Sequence, residues 1–405
     1  MEKKRVRANS IFLFIVVWQF FWANNRVLRI YPYVLWPTLS AYALYRNRCL
    51  SKTSAKYFFQ IAVALCWCLC SSMFSPNMNS GVAFVLEVAL YILPSIYIAE
   101  KCDYEQAIDF MHGLALVHAL MLYIQFLLPN VFYQILEVLA GSSSASEIRT
   151  AANNGLYVGL TGQTSVISFY LVVGIGTTLY RYSKKHNLME LIKVALFFIA
   201  VLLTNRRGNF ICSIAILSIY FIIGKERIGS KILIALIGTI MLLSIGIENI
   251  PGMSGMLEKF TVLNQSRRVL SGRDDLWKVA IQLFEDNPIV GSGFSSFSYY
   301  VDKTSAHNSY IQKLAEMGIL GTLVFFFPFL SCLWKTSCEL CRSRKQGKAM
   351  EKKFRLLTFC VLLQVYYFMI AFTEGVFETP ALFVIIFMVQ TMGNNIVSGE
   401  YDCEN

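Results

Sequence analysis

Apolar residues come in long unbroken stretches with short polar punctuation between them, and the rhythm recurs along the whole chain. Such stretches lie near 11–23, 31–45, 57–74, 82–99, 107–128, 156–180, 188–203, 209–223, 232–247, 308–334, 354–372 and 379–397. A helix needs roughly 17–25 residues to cross the hydrocarbon core of a bilayer, and most of these stretches have the required reach. The pattern predicts an all-α polytopic membrane protein of about twelve transmembrane helices, a single integral domain over residues 1–405. The first stretch follows the basic start "MEKKRVR" as a signal peptide would, but no small-residue cleavage site precedes the next one, so it reads as a span. The second carries Pro32 and Pro37, which a span tolerates where the freed carbonyls find other partners.

One polar interval is long, residues 248–307. Within it, "LSGRDDLWKVAIQLFEDNPIVGSGF" (270–294) reads as a short amphipathic helix. Ser271 followed three residues later by Asp274 makes a capping-box-like start, and Leu276, Ala280, Leu283 and Phe284 share one face. Asn287-Pro288 stops the run. "GSSSASE" at 141–147 is the only low-complexity stretch and reads as a flexible linker.

Composition agrees with the pattern: 56% of residues are hydrophobic and 15% charged, too apolar for a soluble surface. Orientation follows from Lys and Arg. With the N-terminus cytoplasmic, the inner segments hold 23 basic residues and the short outer loops 5, which puts both termini in the cytoplasm. The net charge of +11 then reflects membrane orientation and anionic headgroups rather than nucleic acid. All eleven cysteines fall in spans or inner segments, as a reducing cytoplasm favours. "CWCLC" (66–70) has no His or carboxylate beside it, and "CELC" (338–341) has no second pair, so neither is assigned a metal.

Outer residues that solvation alone does not explain gather in three places. Arg206 and Arg207, in "LLTNRRGNFICSIA" (202–215), sit at the outer junction of two tightly linked spans. They are either a hairpin turn's arginines reaching for headgroups or a guanidinium pair that grips an anionic phosphate. Arg273 falls in the first turn of the amphipathic helix, where the macrodipole disfavours a cation. It is either a solvated arginine or one that shares the helix start with an anion. Asp274 and Asp275 beside it are ordinary dipole partners, and no metal is assigned to them. His307 lies where the polar loop turns into an apolar run. Ser305 is placed to cap that helix and His307 to lie in its first turn, where an imidazole stays neutral and can accept a proton from a sugar hydroxyl. A structural hydrogen bond is the competing role. Asn308 either completes the cap or orients substrate.

Of the remaining histidines, His112 and His118 fall on different faces of one span, and His186 lies in a basic inner loop. Glu87 and Asp109 are the main charges within apolar stretches, with no partner evident in the sequence.

Together these features resemble the O-antigen ligase/polymerase superfamily of bacterial integral-membrane glycosyltransferases. The resemblance is carried by "NRRG", then "GRDDLW…NPIVGSGF", then "HNSYIQKLAEMGILG", with one long outer loop before the last three spans. It implies metal-independent, cofactor-free transfer of a glycan from undecaprenyl diphosphate at the outer face of the bacterial cytoplasmic membrane. Residue by residue, Arg207 matches the Arg of the Arg-Gly motif, Arg273 the loop arginine and His307 the loop histidine. Arg206 stands where the family often has a small or hydroxylic residue. Gln163 and Thr164, in the polar stretch "TGQTSVISFY" (161–170), either line the substrate cavity or bond between spans. The resemblance further implies a lipid-linked oligosaccharide donor, a polysaccharide acceptor and a chain-length regulator as partners. Polymerase and ligase share this chemistry and differ in acceptor. A lipid-linked glycan flippase is the alternative from another class, disfavoured by the lack of repeated halves.

Overall fold

The computed structural model describes residues 51–101, 103–224, 273–302, 304–346 and 350–399. The stretches expected to span near 11–23, 31–45 and 232–247, and the cap expected at Ser271, lie outside the described residues. Among the described residues the regular elements are all helical. They are α1 (Lys52–Ser72), α2 (Met78–Lys101), α3 (Tyr104–Leu127), α4 (Pro129–Asn153), α5 (Thr164–Lys185), α6 (Leu188–Leu203) and α7 (Arg207–Ile223). After the next described break come α8 (Arg273–Asp286), α9 (Phe297–Tyr300), α10 (Ser309–Lys345), α11 (Glu351–Ile370) and α12 (Phe383–Val397). Two 3₁₀ turns, Val376–Glu378 and Pro380–Leu382, join the last two. Four helices, α1, α3, α10 and α11, are long and apolar enough to cross a membrane, and α7 and α12 are shorter apolar helices. The protein is therefore a helical membrane protein.

The chain forms two compact units. The described part of the first comprises residues 51–101 and 273–399; that of the second is 103–224. In the first unit α12 is the central element, buried at every position from Phe383 to Ile396, with α1, α2, α10 and α11 packed on it. Phe377, fully buried, meets the rings of Phe325, Phe326, Phe329, Tyr367 and Phe383. Edge-to-face pairs of this kind add stabilisation beyond the area they bury. In the second unit α5 has the central place, buried from Val166 to Tyr180, against α3, α6 and α7.

Three elements depart from the sequence reading. The span expected over 156–180 begins only at Thr164, because Gly155, Gly159 and Gly162 turn the preceding segment through positive φ. That segment is pinned where the Gln125 Oε1 accepts from Val158 N and Gly159 N at 3.1 and 2.8 Å. "GSSSASE" is helical rather than a flexible linker. Gly141 (φ 84°) breaks α4, and the part beyond it packs Ala145 and Ile148 against Phe132, Tyr133 and Leu136. Burial of these side chains overrides the weak helix propensity of a serine run.

Finally, α10 is broken at Gly318 (φ 59°), inside "HNSYIQKLAEMGILG". A break leaves amides and carbonyls without helical partners. The segment "NPIVGSGF" supplies them. Ile319 N donates to Pro288 O at 2.9 Å and Leu320 N to Ile289 O at 3.1 Å, while Ser292 N and Gly293 N donate to Ala315 O and Glu316 O at 3.0 and 2.9 Å. A Cβ on Gly318 would lie 2.4 Å from the Ile289 carbonyl carbon, and one on Gly291 2.4 Å from that of Glu316. Two of the motifs that carry the family resemblance are thus the two halves of one backbone joint.

Candidate active site

In the first unit, α8 forms as the sequence predicts, ending before Asn287-Pro288. Ala280 is fully buried, and Leu276, Val279 and Leu283 pack with it around Phe297, Ala306 and Ala315. The Trp277 indole donates to Ala306 O at 2.9 Å, fastening α8 to the residue before His307. Arg273, the first residue of α8, meets the turn that follows α11: its Nη1 donates to Thr373 O at 2.9 Å. A backbone carbonyl thus offsets the cation's poor position at the helix start. The same turn holds the start of α10. Ser309 N donates to Ala371 O at 2.8 Å, and the Ser309 Oγ lies 3.3 Å from Glu374 O. Arg273 and the His307–Ser309 turn, remote in sequence, are therefore carried to one corner by residues 371–374.

The expected position of His307 is corrected. α10 starts at Ser309, and its cap is Asn308, whose Oδ1 accepts from Tyr310 N at 3.0 Å and Ile311 N at 3.2 Å. Ser305 is not the cap, and His307 lies before the helix rather than in its first turn. His307 takes a left-handed backbone conformation, φ 50°, and is half-buried. Side-chain-bearing residues adopt that conformation at a cost of roughly 1–2 kcal/mol, so the surroundings must hold it there.

Beneath the turn lie charges that the sequence reading passed over. Lys313, 1% exposed, and Glu316, 0% exposed, lie one turn apart on α10. The Lys313 ammonium is 3.1 Å from Glu316 Oε2 and 3.2 Å from Glu378 Oε1, and the rings of Phe84, Phe294 and Phe325 surround it. Burying charges costs several kcal/mol per ion, and only close pairing with further hydrogen bonds recovers it. Those bonds are present. Gln312 Nε2 donates to Glu316 Oε1 at 2.9 Å, and the Ser309 hydroxyl donates to Glu378 Oε2 at 2.6 Å. Burial pushes the Glu378 carboxyl above its usual range, against the opposing pull of Lys313 and Ser309. The sequence did carry a signal for the group: Lys and Glu three apart at the head of an apolar run mark an interior function, not a solvated face.

In the second unit, the two polar stretches expected to matter are joined. Arg206 is the residue before α7, and its Nε donates to the hydroxyl of Thr164, the first residue of α5. Asn209 Nδ2 donates to Ser168 Oγ at 2.9 Å, both residues being fully buried. Of the alternatives for Thr164, the span-to-span bond is the one observed. Arg207 begins α7 and is half-buried, while Gln163 is exposed at the start of α5. His112 and His118 do not diverge as expected, because both rings meet α5. His112 Nδ1 is 3.1 Å from the Thr177 hydroxyl, and His118 stacks on Tyr170 with ring centroids 4.8 Å apart. Asp109 also has a partner, since Arg181 pairs with it and with Glu190.

Residues 192–326 match the family model of O-antigen ligase, Wzy_C. The match supports the O-antigen ligase/polymerase superfamily, whose members are glycosyltransferase-like membrane enzymes. A search of curated proteins found no match. Arg206, Arg207, Arg273, His307 and Asn308 all fall inside the matched segment, as do Lys313 and Glu316. Gln163, Thr373 and Glu378 lie outside it. The brace around His307 thus combines family-segment residues with the turn after α11.

Proposed function

We propose that this protein is a polymerase that joins undecaprenyl-diphosphate-linked oligosaccharide repeat units into a surface polysaccharide, such as O-antigen, capsule or exopolysaccharide. It works at the outer side of the bacterial cytoplasmic membrane. The observation that carries the reading is the delivery of Arg273 and the His307 turn to the same turn, 371–374, in a chain whose 192–326 segment matches the O-antigen ligase family.

His307 accepts the proton of the acceptor sugar's hydroxyl as that oxygen attacks the anomeric carbon. The new C–O bond forms as the bond from that carbon to the lipid diphosphate breaks, and the electron pair leaves on the phosphate. A diphosphate leaving group needs charge neutralisation more than protonation. Arg273 and Arg207 are assigned to that role, which guanidiniums perform without a metal or cofactor. Arg206 and Gln163 are assigned to substrate contact. Arg206 gives its Nε to Thr164, which fixes the guanidinium at the start of α5. Asn308 caps α10 with its carbonyl oxygen, which leaves the amide nitrogen for substrate.

The family description names a ligase, which favours as second reading the transfer of glycan to lipid A core.

The test is purified protein in lipid, as wild type and as His307→Ala, given only undecaprenyl-diphosphate-linked repeat units. A ladder of longer glycans from the wild type, abolished in the variant, is the expected outcome. Transfer that appears only once lipid A core is added would make the protein a ligase. Transfer to no acceptor would overturn both enzymatic readings.

A further inference from the structure

His307 stands between two tethered residues, Ala306 and Ser309, and both tethers lead to one atom. On one side, Ala306 N donates to Gln312 Oε1 at 3.0 Å, Gln312 Nε2 donates to Glu316 Oε1 at 2.9 Å, and Glu316 Oε2 pairs with the Lys313 ammonium at 3.1 Å. On the other side, Ser309 donates to Glu378 Oε2 at 2.6 Å, and Glu378 Oε1 pairs with the same ammonium at 3.2 Å. Ser309 Oγ also accepts from Phe377 N at 3.3 Å, which ties the second branch to the 3₁₀ turn Val376–Glu378, while Ser309 N bonds Ala371 O in the turn that holds Arg273. We infer that Lys313 is a positioning residue: by neutralising Glu316 and Glu378 together, it locks both sides of the His307 turn in the geometry that presents the imidazole to the acceptor.

What distinguishes this buried cluster is where its hydrogen bonds lead. Two carboxylates share one cation, and each uses its other oxygen on a group leading to the His307 turn, through Gln312 to Ala306 and directly to Ser309. The groups facing the ammonium leave no substitute for it. They are Glu316 and Glu378, the rings of Phe84, Phe294 and Phe325, and Cys68 of α1, whose thiol is 3.8 Å from Met317 Sδ. Without Lys313 the two carboxylates repel each other in an apolar surround, one branch lets go, and the left-handed His307 backbone relaxes. Loss of reach by a base of this kind lowers kcat far more than it raises KM, since it acts on the reacting geometry and not on binding. The catalytic part of the inference rests on the glycosyl-transfer reading; the positioning of His307 does not.

The experiment uses the full-length protein in phosphatidylethanolamine/phosphatidylglycerol nanodiscs with isotope-labelled histidine. The His307 ring signals are assigned by their disappearance in His307→Gln, and Lys313→Met is compared with Lys313→Arg. The expected result is a displaced His307 ring signal and titration midpoint in Lys313→Met, with both restored in Lys313→Arg. In the transfer assay Lys313→Met should lose about tenfold or more in kcat, with KM kept within about threefold. His307 signals unchanged in a folded Lys313→Met would overturn the inference. Should Lys313→Met not fold, Glu378→Gln and Ser309→Ala, which each weaken one branch, decide the matter: a moved His307 signal supports the brace and an unmoved one in both overturns it. A wild type that transfers glycan to no acceptor would sink the glycosyl-transfer reading, while the His307 spectra still decide the positioning.

Discussion

Around His307 the chain is tied by the side chains of Trp277, Gln312 and Ser309 and by Ser309 N to Ala371 O, with a buried ammonium behind them; around Arg206 and Arg207 it is tied by a guanidinium, hydroxyls and an amide. Both corners contain a residue with left-handed backbone, His307 (φ 50°) in the first and Asn205 (φ 55°) in the second. Asparagine and histidine both enter that region more readily than most side chains, so the backbone does not distinguish the corners. Charge does: the first rests on buried carboxylates around an ammonium, the second on hydroxyls and an amide beside one guanidinium. The His307 turn is cross-tied from α8, α10 and the turn after α11. The Asn205 turn is joined to α5 through Arg206 to Thr164 and Asn209 to Ser168.

The largest effect expected on this contrast comes from Lys313→Met, which leaves Glu316 and Glu378 buried without their cation. Breaking such a pair costs about 3–5 kcal/mol, to be read as a large drop in the thermal midpoint of the protein in lipid. Gly318→Ala should follow. Its Cβ would meet the Ile289 carbonyl in a backbone conformation that alanine resists, and a loss of about 1–3 kcal/mol is expected by the same measurement. In the second corner, Asn209→Ala removes the amide donated to Ser168 and should cost about 1 kcal/mol, since Ser168 keeps its bonds to the Thr164 and Ser165 carbonyls. The smallest effect should come from Asp109→Asn, whose ion pair with Arg181 is more than half exposed on the aspartate side, at less than about 1 kcal/mol. Equal losses for Lys313→Met and Asp109→Asn would remove the contrast between buried and exposed charge on which it depends.

Periodicity was enough for the helical class, for α6 at its observed bounds and for α8 with its stop at Asn287-Pro288. It failed where burial or a partner segment took over: in α4, whose serines are carried by Ala145 and Ile148, and at Thr164, where glycines upstream postpone the helix. Among the candidate residues, Arg273 was read in its observed place at the start of α8. The cap before α10 was misplaced by three residues, because Ser305 and Asn308 are both capable caps and the packing of Ser309 N onto Ala371 O favours the second.

What the amino-acid sequence determined by itself was local in origin: apolar runs long enough for a bilayer, a helix stop at Asn-Pro, and the order of short motifs that carries the family resemblance. Tertiary structure alone decided why those motifs have their form. "NPIVGSGF" and "EMGILG" fit each other through backbone groups that every sequence possesses and no sequence advertises. Lys313 becomes a hub only when Glu378, far along the chain, is folded against it. Charge and hydrogen-bonding capacity are written in the residues, but whether they are spent on water, on a neighbour or on a distant turn depends on the dielectric and the distances that folding creates.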